Sequence, residues 1–182
     1  PEVKAELEAG LSQFKGRDDG WRLAMHVLQG ESRGNAHDSY LLWFSATLLQ
    51  EAISKSWPAI PVIGIAQAAF AKARMLSGPF AIVTFAPEMA PALRDKAIQH
   101  GAGDNLLQVA SLDTSFEGDP AEIADRLAAP LADLCRTSAR DGAQSIVLGG
   151  GPLAGLASRI APGCPVPVID GTQEAIAQMR AR

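Results

Sequence analysis

The chain has few of the residues that build disulfide frameworks and metal sites. Among its 182 residues are two cysteines, Cys135 and Cys164, and three scattered histidines, His26, His37 and His100. Two cysteines make neither a disulfide framework nor a zinc set, and no metal-ligand spacing joins the histidines. We therefore expect no metal site, and we interpret both cysteines as small hydrophobic residues rather than catalytic ones.

Long apolar runs and clusters of basic residues are also missing. No stretch approaches the roughly 18 consecutive apolar residues of a membrane span. The net charge of −4 comes without the clustered Lys and Arg that phosphate backbones require, and residues 1–4 (PEVK) open no visible secretion signal. These absences predict a cytoplasmic protein that binds a small molecule, and neither nucleic acid nor a membrane. They leave open whether the chain forms a homo-oligomer.

What the chain does have is an alternation typical of α/β proteins. With 47% hydrophobic residues it can bury a full core. Apolar runs of four to six residues alternate with amphipathic stretches of ten or more, which predicts parallel sheets flanked by helices. Helices are expected near residues 2–14, 46–55, 66–76, 87–100, 119–140, 152–160 and 172–181, and strands near 22–28, 39–44, 61–65, 80–85, 106–110, 144–149 and 166–169. Pro130 is expected to bend or divide the helix over 119–140.

One motif occurs twice. Residues 61–69 read PVIGIAQAA, and residues 167–175, 106 positions later, read PVIDGTQEA, with five of nine positions identical. An apolar strand that ends in small residues precedes each copy, at 40–47 and at 146–151. The repeat predicts two pseudo-symmetric α/β lobes with a cleft between them, the first formed by residues 1–60 and 167–182 and the second by residues 61–166.

The first part of the chain departs from an ordinary α/β lobe. It opens with a helical pattern over residues 3–14, where a strand is usual, and the polar stretch 29–38 is too short for a crossover helix. The sequence leaves open whether residues precede Pro1, and the strands beside 29–38 are either joined unusually or have lost residues between them.

A glycine-rich turn is the strongest local signal after the repeat. Gly149, Gly150 and Gly151 follow an apolar strand, and Pro152 then suits the first position of a helix. Such a turn lets the backbone approach an anionic ligand, although a plain tight turn has the same composition. It lacks the Lys-Ser/Thr of a phosphate-binding loop and the spacing of a dinucleotide fingerprint, so no cofactor is predicted.

Three polar residues have two interpretations each. Thr84 ends a strand on the side where α/β sheets bind ligands, and it either contacts a substrate or caps the helix at 87. Ser45 either begins the helix over 46–55 or faces the cleft. Asp170 follows the last strand, and a cap for the final helix is favoured over a place in the cleft.

The repeated Pro-Val-Ile motif, the strand Ile146–Gly150 and the segment Phe80–Thr84 resemble the aspartate/glutamate/hydantoin racemase family, most of all its hydantoin and allantoin racemase branch. The resemblance extends over about residues 39–181. It implies cofactor-independent inversion at a carbon next to a carbonyl, with one cysteine per lobe transferring the proton. Counting back from the two motifs places Ser45 and Gly150 at the positions of these cysteines, and neither residue carries a thiol.

The resemblance also implies that backbone N–H groups hold the carbanion charge. It assigns this binding role to Ala46 and Thr47 in the first half of the chain and to Gly149, Gly150 and Gly151 in the second, and Thr84 and Asp170 complete the expected binding set. The main hypothesis is a racemase or isomerase acting on a small amino-acid derivative or a hydantoin-like ring. The alternative is an inactive member that binds a small carboxylate or amide. A decarboxylase or another isomerase is a weaker third hypothesis.

Overall fold

A parallel β-sheet organises the part of the chain that the computed structural model describes, residues 62–113 and 122–181. Four strands lie in the order β2-β1-β3-β4, and every neighbouring pair is parallel. Their bounds are β1 (Phe80–Thr84), β2 (Leu106–Ser111), β3 (Ser145–Leu148) and β4 (Val168–Asp170). Because the strands are parallel, all their carboxyl ends meet at one edge of the sheet.

Helices connect the strands, as parallel pairing requires. The α-helices are α1 (Ile65–Met75), α2 (Ala90–Gln99), α3 (Ile123–Arg140), α4 (Ala157–Ile160) and α5 (Gly171–Arg180). Short 3₁₀ turns cover Pro87–Met89, Gly103–Asn105, Gly151–Leu153 and Ala161–Gly163. The fold predicted from the sequence, a parallel sheet flanked by helices, is confirmed.

The two central strands are buried on both faces. On one face Val83 and Leu148 pack in a cluster with Leu131 of α3 and residues of α4. On the other face the ring of Phe80 lies 6.0 Å from the ring of Phe70 in α1. Parallel strands covered on both sides are apolar throughout, which explains why β1 and β3 read as continuous hydrophobic runs.

Most predicted elements within the described residues are present. The expected strand over 61–65 is wrong, because residues 62–64 form no regular structure and α1 already begins at Ile65. The expected helix over 152–160 is replaced by a 3₁₀ turn and the single turn of α4. The helix α3 is not divided at Pro130, which lies in its interior. The elements expected before residue 61 lie outside the described residues.

The helices of the repeated motif begin at corresponding positions and pack against each other. Residues Ile65 and Gly171 open α1 and α5 and are 106 positions apart. Lys72 lies 3.7 Å from Glu174, and the Gln178 amide donates to the carbonyl of Ala68 at 3.3 Å. Gln178 is the residue 106 positions after Lys72, and Ala68 is the residue 106 positions before Glu174. Each contact therefore corresponds to the other under the repeat. The helix pair is therefore related by a local pseudo-twofold axis.

The predicted lobe division stays a prediction. Residues 167–182 were expected to join residues 1–60; among the described residues, β4 pairs with β3 and α5 packs on α1. The chain divides into two units, residues 1–64 and residues 65–182. The hydrogen bonds of β4 are made within the second unit, so the repeat places two helices in one unit rather than dividing them between two.

Candidate active site at the carboxyl edge of the sheet

The structure brings three of the predicted site segments together at the carboxyl edge. Val83 is paired with Leu148, and Leu148 is paired with Asp170. Thr84, Gly149 and Asp170 therefore lie at the ends of adjacent strands. This is the edge at which open α/β sheets bind their ligands.

The glycine turn after β3 presents two backbone donors. The N–H of Gly149 donates to the carbonyl of Val83 at 2.8 Å and extends the sheet pairing. Within residues 62–113 and 122–181, the N–H groups of Gly150 and Gly151 donate to no protein acceptor. Gly151 is exposed and Gly150 is half-buried. Two adjacent, accessible N–H groups can stabilise a carboxylate or a developing oxyanion.

Gly150 has a backbone conformation that L-residues rarely adopt, with φ of 141° and ψ of 133°. A Cβ atom added at this position would lie 3.3 Å from Cε1 of Phe85. A larger side chain would therefore meet the Phe85 ring. The position that the resemblance aligns with a family cysteine is built here for glycine, in both its backbone and its surroundings.

Asp170 caps α5 and also accepts a hydrogen bond from the loop after β3. One carboxylate oxygen accepts from the N–H groups of Thr172 at 2.9 Å and Gln173 at 3.2 Å, and the other accepts from the N–H of Gly155 at 2.5 Å. The side chain is buried, with 4% exposure. The capping interpretation is correct. Because both oxygens are engaged, Asp170 positions the site rather than offering a free carboxylate to a ligand.

Thr84 is buried at the end of β1. Its hydroxyl oxygen accepts from the N–H of Ala86 at 3.5 Å, which shapes the turn toward Pro87. The residue that precedes the 3₁₀ turn is Ala86, so Thr84 is not its N-cap. The structure shows Thr84 neither as the helix cap nor as an exposed contact for a substrate. Its hydroxyl accepts a hydrogen bond within the neighbouring turn, and the residue is buried.

The cysteines are not at this edge. Cys135 is fully buried in α3, within the cluster on one face of the sheet. Burial raises the pKa of its thiol to about 12, and the nearby Cys164 adds to this shift. Cys164 is half-buried and precedes β4, at the opposite, amino edge. A buried thiol with a raised pKa is a poor acid or base near neutrality, in keeping with its interpretation as a core residue.

Three predicted site residues, Ser45, Ala46 and Thr47, lie outside the described residues. In the part of the chain that is described, no group of three or more His, Cys, Asp or Glu side chains could hold a metal ion. No helix within the described ranges is long and apolar enough to cross a membrane.

Phe85 was not predicted from the sequence as a site residue. The half-buried residue comes directly after β1, and its ring lies beside Gly150. It therefore belongs to the same edge of the sheet. An aromatic residue immediately after a buried strand, at the end where ligands bind, is the signal that could have identified it.

Known proteins share both this sequence pattern and this fold. The sequence pattern of the Asp/Glu/Hydantoin racemase family matches residues 18–179. The chain belongs to this racemase family. Its resemblance to the hydantoin and allantoin racemase branch is also confirmed, because it is 36% identical over 124 residues to a hydantoin racemase from Rhizobium meliloti, a match that covers 66% of this chain and 50% of the relative.

Solved structures support the same placement. This chain is similar to an allantoin racemase from Klebsiella pneumoniae, with a TM-score of 0.59 and 31% sequence identity. The match covers 66% of this chain and 49% of the Klebsiella chain. This chain also shares the fold of an allantoin racemase from Pseudomonas fluorescens, with a TM-score of 0.58 and 21% identity over 76% of this chain and 70% of the other. The chain spans about half the length of the hydantoin racemase and of the first of these structures.

Proposed function

We propose that this chain is a cofactor-independent isomerase that acts on a small cyclic or open-chain amide of the hydantoin class, at a carbon next to a carbonyl. The observation that carries the proposal is the pair of adjacent N–H groups at Gly150 and Gly151, which donate to no protein acceptor among the described residues. Its support from relatives is the family membership and the similarity to hydantoin and allantoin racemases.

The N–H pair suits one step of such a reaction. When the Cα–H bond breaks, its electron pair spreads onto the carbonyl oxygen, and the proton leaves to a base. The oxygen then carries negative charge, which two fixed backbone donors stabilise more strongly than they stabilise the neutral carbonyl. Return of a proton to the opposite face of Cα completes the inversion. Gly150 offers no side chain for either proton transfer, so these transfers fall to other groups of the protein.

Exchange with solvent deuterium tests the proposal. The C5–H signal of an L-5-substituted hydantoin, followed by NMR in D₂O with the full chain, is expected to disappear, and the optical rotation is expected to fall. Replacing Ser45 by Ala in the same assay tests the other position that the resemblance aligns with a family cysteine. Absence of exchange, with no binding of any hydantoin or amino acid tried, would overturn the proposal.

A matched pair of variants isolates the backbone donor. Gly151→Pro removes one N–H at the first position of a 3₁₀ turn, where proline fits. Gly151→Ala keeps the N–H, and its added Cβ meets nothing within 4 Å. We expect Gly151→Pro to slow exchange by roughly 100-fold, as loss of one oxyanion donor does, and Gly151→Ala to stay close to the parent. Equal rates in the two variants would show that this N–H has no part in the reaction.

A second candidate function is binding without catalysis. It is favoured by Gly150, which has no side chain to act as an acid and whose φ of 141° is a conformation that L-residues rarely adopt. Ligand binding measured by calorimetry, with no loss of the C5–H signal over hours, would identify this second function.

A further inference from the structure

Phe85 occupies the space into which a side chain at position 150 would project. A Cβ on Gly150 would lie 3.3 Å from Cε1 and 3.9 Å from Cδ1 of the Phe85 ring. A contact at 3.3 Å already requires the ring to move by a few tenths of an ångström. The glycine at position 150 therefore leaves the Phe85 ring in its place, where a side chain at 150 would crowd it.

The ring is placed where it can meet a ligand. It belongs to the residue directly after β1, at the carboxyl edge, and it lies beside Gly150, whose N–H donates to no acceptor within residues 62–113 and 122–181. It packs against the cluster of buried residues on one side, yet it is only half-buried itself. The apolar ring of Phe85 therefore lies beside the N–H groups of Gly150 and Gly151. This pairing suits a ligand with a carbonyl oxygen at one end and an apolar group close to it.

We propose that Phe85 is a specificity-determining residue of this site, which selects ligands with an arylmethyl substituent on the carbon next to the carbonyl. This inference rests on the proposed function, because it uses the same N–H pair to hold the carbonyl oxygen. The substituent packs on the exposed part of the ring, and aromatic pairs gain stability beyond their buried area. A thiol at position 150 would compete with the Phe85 ring for the same space. The proposed role of the ring therefore also accounts for the glycine at position 150.

The test compares two probes that differ only in the apolar group, hydantoin and 5-benzylhydantoin. Titration calorimetry with the full chain is expected to show 5-benzylhydantoin binding about tenfold more tightly, the ratio that about 1.4 kcal/mol produces. Phe85→Ala is expected to reduce the ratio to about one, through loss of the aryl ligand and with little change for hydantoin. Phe85→Leu retains apolar volume without an aromatic face, and an intermediate ratio is expected.

Ile98→Ala is the matched control. Ile98 is an apolar residue with 60% exposure, near the end of α2 and in contact distance of Gly103, at the opposite edge of the sheet. Its replacement is expected to leave the ratio unchanged. Thermal unfolding of each variant establishes that it is folded, and Phe85→Leu carries the test if Phe85→Ala does not fold.

The outcomes separate this inference from the proposed function. A ratio that survives in Phe85→Ala, or in Phe85→Leu if the alanine variant does not fold, would overturn the inference alone. So would equal affinities of the parent chain for the two probes, because hydantoin still binds. Failure of the parent chain to bind either probe would overturn both proposals.

Discussion

The two helices of the repeated motif have related sequences and opposite surroundings. Phe70 in α1 is almost completely buried, with 1% exposure, whereas the residue 106 positions later, Ile176 in α5, is 47% exposed. Four residues of α1 are buried, whereas Ala175, with 9% exposure, is the one buried residue of α5. Both positions carry large apolar side chains, so residue type alone does not decide which of them belongs to the core.

Their place in the layers explains the difference. Phe70 of α1 packs on the ring of Phe80 in the sheet, while the other side of α1 meets α5 through Lys72 and Ala68. The helix α1 is therefore an inner element and α5 is an outer one. A helix enclosed by both a sheet and another helix buries residues around most of its circumference. Similar motifs thus make different contributions to stability.

The largest expected effect separates the two corresponding positions. Phe70→Ala removes a buried ring from contact with Phe80 and should lower the free energy of unfolding by about 4 kcal/mol. Ile176→Ala, its matched control in α5, should cost less than about 1 kcal/mol because the side chain is half exposed. Urea unfolding of both variants measures the difference. Equal losses would show that α5 is as enclosed as α1.

The next effect concerns how each helix begins. Asp170 accepts two backbone hydrogen bonds at the start of α5 and a third from Gly155, whereas Gly64 precedes α1 at the corresponding position and has no side chain to cap it. Asp170→Ala should lower the free energy of unfolding by about 3 kcal/mol, because three backbone donors lose a charged acceptor. Asp170→Asn keeps an oxygen acceptor and should lose less. A loss below about 1 kcal/mol for Asp170→Ala would contradict the bracing role.

A smaller effect tests the crossing point of the helices. A Cβ on Gly171 would lie 2.6 Å from the carbonyl oxygen of Ile65, a backbone atom that cannot turn aside. Gly171→Ala should therefore cost about 2 kcal/mol by forcing the helices apart. Gly151→Ala adds the same methyl group where nothing lies within 4 Å and should be nearly neutral. If both variants unfold at the same denaturant concentration, the close approach of α1 and α5 is not present in solution.

The smallest expected effect depends on pH. The His100 ring lies 6.0 Å from Phe70, and burial lowers the pKa of His100 below its usual 6.5, with the nearby Lys96 charge acting in the same direction. The unfolded chain then binds more protons than the folded chain below about pH 6.5. The free energy of unfolding should fall as pH decreases through this range. His100→Gln should remove that part of the pH dependence, and an unchanged profile would exclude His100 as its source.

Much of the described fold could be predicted because its signals are local. The strands Phe80–Thr84 and Ser145–Leu148 are continuous apolar runs, and the helix starts at Ile65 and Gly171 fall within one residue of the positions expected from the motif. The strand expected at 61–65 did not form, although residues 167–169 carry the same Pro-Val-Ile letters. A strand needs a partner for its N–H and C=O groups, and β4 has one in β3.

The glycine turn and the Asp170 cap of the candidate site were predicted from the sequence. The packing of other residues around them was not. Gly149–Gly151 and Asp170 could be recognised because small residues and a carboxylate after a strand have few other uses. The bond from Gly155 to Asp170 and the contact of Phe85 with Gly150 join residues 15 and 65 positions apart. Contacts of that kind depend on how the loops fold over the sheet edge, so the sequence could place Phe85 and Asp170 at this edge without showing which residues they meet.

The sequence by itself determined most of the helices and strands of residues 62–113 and 122–181, the racemase-family pattern and the glycine at position 150, because propensity and residue identity are local properties. Only the tertiary structure decided that Phe70 is buried and Ile176 exposed, that the two repeated helices share one unit, and that Phe85 fills the space beside Gly150. Burial and steric fit depend on which distant residues are brought together. The order of residues along the chain does not specify that directly.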